Sequence, residues 1–229
     1  MNRSPVIAID GTAACGKGTL AKKLAQHYDF AHLDSGALYR LVALDVLERG
    51  GNPSDISDAT NAARSIEMDK TSLSKIRRDE VGKAASQVAA IPEVRNILLS
   101  LQRDFAAHPP DNKRGAVIDG RDIGTKIVPR ATAKLFVDAA PEIRACRRRL
   151  ELESLGIFRD EKVILEELKA RDAADRSRTV SPLRQAEDAM LLDTSDLGID
   201  AAFAAALALV EPKIRSVLNQ SARSPSGGA

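Results

Sequence analysis

Short apolar runs alternate with amphipathic stretches along most of this chain. The apolar runs are rich in aliphatic residues, and each ends at an aspartate, as expected of short buried strands followed by a turn. They occupy residues 5–10, 30–34, 116–119, 133–138 and 189–193. Stretches with helical spacing follow four of the five runs. Because parallel strands need helical crossovers and are buried on both faces, the pattern predicts an α/β fold with a five-stranded parallel sheet flanked by helices.

The stretch between the second and third predicted strands has mainly the pattern of helices. A Gly-Gly-Asn-Pro break at 50–53 ends one helix, and Ser54 or Ser57 is expected to cap the next. Two further helices are predicted at 81–90 and 94–105, separated by Pro92 at a first helical turn.

The order of these elements predicts how the chain is divided. Residues 1–40 and 108–219 form the core, residues 41–107 form a small helical insert, and the polar residues 220–229 form a disordered tail. Residues 66–78 fit neither a helix nor a strand pattern.

Composition excludes several classes of function. The chain has 34 Lys and Arg against 32 Asp and Glu, so its net charge of +2 argues against a broad nucleic-acid-binding face. Cys15 and Cys146 are too few for a disulfide framework and too far apart in sequence for zinc spacing. Residues 1–10 carry no long apolar segment. We therefore expect a cytoplasmic monomer with no nucleic-acid or membrane partner.

The first strand-to-helix turn carries the most specific motif. Residues 11–19 read GTAACGKGT, which is the G-x-x-x-x-G-K spacing of a phosphate-binding loop (P-loop). Its glycines let backbone N–H groups converge on phosphate oxygens, and Lys17 and the helix N-terminus stabilise their charge. We predict that the phosphates of ATP bind Gly11, Thr12, Ala13, Ala14, Cys15, Gly16, Lys17, Gly18 and Thr19.

The residue after the motif lysine departs from the general pattern. Gly18 stands where most such loops have the Ser or Thr that binds Mg²⁺, and the hydroxyl follows at Thr19. We therefore expect Mg²⁺, bound with ATP, to be held largely through water, with Thr19 and Asp34 as candidate contacts. The same departure, and the lack of an Asn-Lys-x-Asp run, argue against a switch GTPase.

Charged residues also follow the second and third predicted strands. Residues 34–40 read DSGALYR, and residues 119–125 read DGRDIGT, so arginines and carboxylates are placed at the carboxyl edge of the sheet, where such folds bind ligands. Residues 171–178 read RDAADRSR, with three charged residues at helical spacing on one face. The alternative is structural: Ser35 as a helix cap, Arg40 as a solvated side chain, and a salt-bridge ladder within the later helix.

Five motifs in one order carry a resemblance to a known family. GTAACGKGT, LDSGALYR, AASQVAAIPEVR, IDGRDIGT and KARDAADRSR together resemble bacterial cytidylate kinases, over about residues 6–218. The resemblance implies a P-loop kinase core, a nucleoside monophosphate-binding insert and a short lid at about 145–178. It also implies ATP-dependent phosphorylation of CMP and dCMP to CDP and dCDP.

The resemblance implies a role for each matching residue. The residues implied to bind the acceptor phosphate are Ser35, Arg40, Arg121 and Arg178. Those implied to bind the cytosine are Ser86, Arg95 and Asp122. Those implied to bind the ribose are Arg171 and Asp175. The implied catalytic residues are Lys17, Arg121 and Arg178.

Several points stay open at this level. A predicted basic helix carries four arginines, and the sequence does not decide which of them reaches the transferring phosphate: Arg144, Arg147, Arg148 and Arg149. The family's longer form has a three-stranded sheet in its insert, whereas residues 66–78 have room for a hairpin at most. Cys15 is either a reactive thiol or a small packing residue. A kinase for another small acceptor, such as UMP or a non-nucleotide alcohol, and a non-catalytic nucleotide sensor are the alternative functions.

Overall fold

The computed structural model of the chain describes residues 4–66 and 75–223. The strands are β1 (Val6–Gly11), β2 (Ala31–Asp34), β3 (Ala116–Gly120), β4 (Ala133–Asp138) and β5 (Met190–Asp193). The helices are α1 (Lys17–Tyr28), α2 (Ser35–Glu48), α3 (Ile56–Arg64), α4 (Asp79–Val88), α5 (Pro92–Ala107), α6 (Pro141–Ser154), α7 (Glu161–Ser177) and α8 (Ile199–Arg223). A 3₁₀ turn, Lys75–Arg77, precedes α4, and one π-helical turn, Ile123–Ile127, follows β3.

The strands form a five-stranded sheet in the order β2-β3-β1-β4-β5. The central strand, β1, pairs in parallel with β3 on one side and β4 on the other, so that Ile7 lies opposite both Val117 and Ala133. β4 pairs in parallel with β5. Every residue of β1 is buried, as expected of a strand covered on both faces. The predicted five-stranded parallel sheet flanked by helices is confirmed.

The main core lies between the sheet and two helices. Ile7 and Ile9 of β1 and Leu135 of β4 pack with Leu24 of α1 and Ile214 of α8, and all five side chains are almost fully buried. A smaller core joins α6 to α7 and includes Leu152, Ile164 and Leu168. Each such side chain stabilises the fold by about 1.5 to 3 kcal/mol. The main core therefore fixes the carboxyl ends of the central strands, where the P-loop begins.

The chain forms two compact units. One consists of residues 1–33 and 105–229, and the other of residues 34–104. The sequence placed the insert at 41–107, whereas α2 already belongs to the second unit. The described residues of that unit form helices and the 3₁₀ turn. Most of the segment that was expected to leave room for a hairpin, residues 67–74, lies outside the described residues.

Two helix caps differ from the sequence-based expectation. Asp34, not Ser35, caps α2, since its Oδ1 accepts a hydrogen bond from the Ala37 N–H at 3.1 Å. Asp55, not Ser54 or Ser57, caps α3 by accepting from the Asp58 N–H at 3.0 Å. A carboxylate adds charge stabilisation at a helix N-terminus, which a hydroxyl lacks.

The predicted disordered tail is wrong in its first residues. Helix α8 continues to Arg223, so residues 220–223 are helical, and residues 224–229 lie outside the described residues.

In the part of the chain that the structure describes, none of the helices is both long enough and apolar enough to cross a membrane.

Candidate functional site

The P-loop connects β1 to α1 through a tight backbone path. A Cβ atom on Gly11 would lie 2.0 Å from the Val137 carbonyl oxygen of β4, so a glycine is required there. Ala14 and Gly16, two residues apart, have φ angles of 59° and 89° in the left-handed region. Such changes of backbone handedness turn successive N–H groups towards one point and create a concave anion-binding surface. The backbone of the loop is therefore compatible with the predicted phosphate binding.

Lys17 begins α1 and reaches back over this loop. Its Nζ donates a hydrogen bond to the Thr12 carbonyl oxygen at 2.9 Å, and the residue is buried. Burial lowers the pKa of Lys17 below its usual value, and the nearby positive charge of Arg121 acts in the same direction. A bound anion at this position would relieve both effects, because it supplies the opposite charge.

The loop is held from the neighbouring strand ends. The Thr12 hydroxyl donates to Asp138 Oδ1 at the end of β4, at 2.6 Å, and the Thr194 hydroxyl donates to the Cys15 carbonyl at 3.0 Å. The Cys15 side chain is fully buried in the main core. This environment favours the packing role of Cys15 over the reactive one, since a reactive thiol needs access.

Asp119 at the end of β3 is a candidate that the sequence analysis did not select. Its Oδ2 lies 3.8 Å from the position that a Cβ of Gly18 would take, and its Oδ1 lies 2.8 Å from His32 Nε2. Asp119 is buried, and its carboxylate lies beside the first turn of α1. The only sequence signal for it is its place at the end of a predicted strand.

The two residues predicted to contact the metal are both exposed. Thr19 is exposed on α1, and Asp34 caps α2. Among residues 4–66 and 75–223, no group of three or more His, Cys, Asp and Glu side chains could hold a metal ion by itself. Mg²⁺ keeps several waters and is commonly bound through one carboxylate and the phosphates of its substrate. The carboxylate of Asp119 beside the P-loop fits a magnesium ion held in that way.

Asp175 of α7 joins two of the predicted arginines. Its Oδ2 lies 2.8 Å from Arg121 Nε, and its Oδ1 lies 3.3 Å from Arg178 Nη2. Burial alone would raise the pKa of Asp175, but the two guanidinium groups outweigh burial and lower it. Arg121 follows β3, whereas Arg178 ends α7. The arrangement is therefore more than a salt-bridge ladder within one helix.

The turn after β3 is held by Asp10 rather than by its own first residue. Both carboxylate oxygens of Asp10 accept backbone hydrogen bonds, from the N–H groups of Ile123 and Gly124, each at 2.7 Å. Asp122 begins the turn and is buried, and within the described structure its side chain makes no capping bond to it. The carboxylate of Asp122 is therefore not what holds the turn.

In the second unit, Arg40 of α2 lies against α4, and Ser86 belongs to α4. Arg40 Nη1 donates to the Ile76 carbonyl at 2.9 Å, and a Cβ on Gly82 would come within 3.3 Å of the same nitrogen. The exposed Ser86 donates from its Oγ to the Gly82 carbonyl at 3.3 Å. The absence of a side chain at Gly82 thus leaves room for the Arg40 guanidinium.

Arg95 is a buried cation of the same unit. Its Nη1 donates to the Ala89 carbonyl at 3.1 Å, and its guanidinium lies 5.4 Å from the centre of the Tyr39 ring. Ser35, the first residue of α2, is buried as well. The structure thus brings Arg121, Asp175 and Arg178 into direct contact in one unit, and fixes Arg40, Ser86 and Arg95 by local bonds in the other.

The four arginines of α6 all bond to protein groups. Their partners include Asp172 for Arg144, Thr194 for Arg147, Glu151 for Arg148, and Glu161 for Arg149. Arg144 is only 3% exposed and its guanidinium already bonds Asp172 and the Ala13 and Ala139 carbonyls, which argues against its reaching a transferring phosphate. Arg147, Arg148 and Arg149 are the remaining candidates.

Comparison with known proteins gives one consistent result. The family model described as cytidylate kinase matches residues 7–212. The chain is 49% identical over 212 residues to a cytidylate kinase of Nitrobacter winogradskyi, covering 92% of this chain and 98% of that protein. It is 50% identical over 206 residues to a cytidylate kinase of Rhodopseudomonas palustris, covering 90% and 95%.

Among the solved structures with a similar fold is an uncharacterized protein from Eubacterium ventriosum, with a TM-score of 0.50 and 16% identity, covering 90% of this chain and 98% of that one. At this identity the similarity concerns the fold alone.

Proposed function

The chain belongs to the cytidylate kinase family and phosphorylates CMP with ATP, and we propose that Lys17 and the arginines joined by Asp175 carry out this transfer. The observation that carries the proposal is the composition of one compact unit. It contains a P-loop crossed by the Lys17 ammonium and a carboxylate that holds Arg121 and Arg178. An anion-binding loop together with clustered arginines is what transfer between two phosphates requires.

The chemistry needs positioning and charge more than a base. The acceptor is a phosphate monoester that is already anionic near neutral pH, so one of its oxygens attacks the γ-phosphorus without proton removal. The bond from the γ-phosphorus to the bridging oxygen breaks, and its electrons leave with ADP. Lys17 stabilises the charge on the β- and γ-phosphates, while Arg121 and Arg178 stabilise the charge around the transferring group.

For CMP, we retain the assignment that the family resemblance implies. Ser35 and Arg40, with Arg121 and Arg178, bind the acceptor phosphate, and Arg171 and Asp175 bind the ribose. Asp175 already accepts a hydrogen bond from Arg121 and forms an ion pair with Arg178, but a carboxylate has about four acceptor positions, so a ribose hydroxyl can still donate to it. The proposed acceptors include dCMP, which differs from CMP only in lacking the 2′-hydroxyl.

Recognition of cytosine requires groups that match its edge. Cytosine presents an amino donor at N4 and acceptors at N3 and O2. A carboxylate at Asp122 and a guanidinium at Arg95 are complementary to those groups, and both residues are buried. Ser86 supplies a further hydroxyl. Burial strengthens the discrimination, because a mismatched base would leave a charged group without its hydrogen bond.

Mg²⁺ accompanies ATP in this proposal. When bound, it neutralises charge on the β- and γ-phosphates. We propose that Asp119 orients its water shell and that Thr19 and Asp34 are more distant contacts.

The protein acts as a cytoplasmic monomer with no nucleic-acid or membrane partner, in line with its near-neutral charge and low aromatic content.

A screen of acceptors tests the proposal. ADP release is measured with ATP and CMP, dCMP, UMP or a non-nucleotide alcohol, with Lys17→Met as the inactive control. We expect rapid turnover with CMP and dCMP and slow turnover with the others. A preference for UMP or an alcohol would contradict the acceptor assignment. A nucleotide sensor would bind ATP but release no ADP with any acceptor.

A further inference from the structure

Arg144 and Asp172 form a buried ion pair that the proposed reaction does not use. Arg144 Nη1 lies 2.6 Å from Asp172 Oδ2, and the two residues are 3% and 2% exposed. Arg144 belongs to α6 and Asp172 to α7. Burial of two charges is costly unless other hydrogen bonds satisfy them, so the remaining partners of the pair show what it is for.

Two of those partners belong to the backbone of one P-loop residue, and the third is the Ala139 carbonyl, which accepts from Arg144 Nε at 2.8 Å. The Ala13 N–H donates to Asp172 Oδ1 at 3.2 Å, and the Ala13 carbonyl accepts from Arg144 Nη1 at 3.0 Å. The Ala13 side chain packs into the small core of α6 and α7, against residues that include Ala145 and Leu168. Both polar groups and the side chain of Ala13 are therefore held by the same two helices.

Helix α7 carries a second anchor one turn later. Asp172 holds the P-loop, and Asp175 holds Arg121 and Arg178. Residues three positions apart lie on the same side of a helix. One rigid element thus fixes both the loop proposed to bind the ATP phosphates and the arginines proposed to surround the transferring group.

We propose that Arg144 and Asp172 are positioning residues that clasp the Ala13 peptide and hold the P-loop in its ATP-binding conformation. The inference rests on the proposed function in one respect, since it takes ATP to be the ligand of the loop. The clasp acts mainly on ATP, because its contacts in the loop are all to the Ala13 peptide.

The test separates positioning from stability by replacing the pair with apolar residues. The double variant Arg144→Met, Asp172→Leu leaves no unpaired buried charge, and such replacements of buried ion pairs are often neutral or stabilising. Neither new side chain can bond the Ala13 peptide. Glu161→Gln is the matched control, because Glu161 joins the same two helices through Arg149 at 2.9 Å but does not touch the loop.

Three quantities are measured: the melting temperature, the Kd for ATP by calorimetry, and the Kd for CMP. We expect the double variant to melt near the wild type, to bind ATP about tenfold or more weakly, and to bind CMP within about twofold of the wild type. Tenfold corresponds to about 1.4 kcal/mol, which is of the order of one or two lost hydrogen bonds. The control should change neither affinity.

An unchanged Kd for ATP in a well-folded double variant would overturn the proposal, as would equal weakening of ATP and CMP. If the double variant does not fold, Asp172→Asn and Arg144→Lys are compared in the same way, and an unchanged Kd for ATP in both would overturn it. ATP binding is measured without turnover, so a wild type that binds ATP but phosphorylates no CMP would overturn the proposed function and leave the clasp standing.

Discussion

Replacing Asp175 by Asn removes the shared counter-charge of Arg121 and Arg178 while keeping the shape of the side chain. The side chain of Asp175 is 12% exposed, and those of Arg121 and Arg178 are 17% and 14% exposed. The change therefore acts in a mostly buried site, where two charge-assisted contacts at 2.8 and 3.3 Å are lost or weakened together.

The size of the effect follows from this geometry. Removing one partner of a fully buried ion pair costs about 3 to 5 kcal/mol, and we expect about 2 to 3 kcal/mol here, because an amide oxygen still accepts one bond and some water reaches the arginines. For a chain of this size, that loss lowers the melting temperature by roughly 5 to 10 °C. Misplacing groups that stabilise the transferring charge lowers kcat by about 100-fold.

The pH dependence has a definite sign. The arginines lower the folded-state pKa of Asp175 below its unfolded value of about 3.9, so the stabilisation is present above the unfolded pKa. It is lost as the pH falls through the folded pKa. The difference in stability between wild type and Asp175→Asn should therefore be constant from about pH 5 to 8 and shrink below about pH 4.

The assay combines urea unfolding at several pH values with steady-state kinetics at pH 7. Asp200→Asn is the matched control, because Asp200 also pairs with a cation at 2.9 Å, namely Lys23, but is exposed; it should change neither measurement. A variant Asp175→Asn with wild-type stability and wild-type kcat would refute the reasoning that Asp175 positions the two arginines.

Three further variants test other parts of the site. Gly11→Ala should destabilise the protein and abolish detectable ATP binding by calorimetry, because its Cβ would lie 2.0 Å from the Val137 carbonyl; ATP affinity near wild type would contradict the loop geometry. Asp122→Asn should shrink the preference for CMP over UMP in kcat/KM, mainly by loss of CMP activity, whereas an unchanged ratio would place the base-reading group elsewhere. Burial raises the pKa of Asp10 to about 7, so its stabilisation is lost as the pH rises towards 7; the stability of the wild type relative to Asp10→Asn should fall by about 2 kcal/mol from pH 5 to pH 8 in urea unfolding, and a pH-independent difference would be inconsistent with that pKa.

The strands and the P-loop could be predicted from the sequence because their signals are local. The apolar run before Gly11 and the spacing of Gly11, Gly16 and Lys17 depend only on neighbours along the chain. The strand at 133–138 has the same bounds in the structure. The helix caps were missed by one residue or more, since Asp34 and Ser35 are both good caps and the sequence does not rank them.

The contacts that build the site could not be predicted in the same way. Asp10 holds a turn 113 residues later in the chain, and Ala13 bonds Asp172 across 159 residues. These partners become neighbours only through the order of the strands and the packing of α6 on α7, which no local pattern encodes. For Arg144, the sequence showed a basic helix and suggested contact with phosphate, but the fold buries its guanidinium against the P-loop backbone.

Transfer of a labelled phosphoryl group tests the central claim most directly. The protein is incubated with CMP and ATP that carries ³²P in its γ-phosphate, and the products are separated and counted. The account predicts that the label moves into the β-phosphate of CDP, in equal amount to the ADP formed, and that Lys17→Met gives no labelled CDP. Label found only in inorganic phosphate, or retained in ATP while CMP is unchanged, would contradict it.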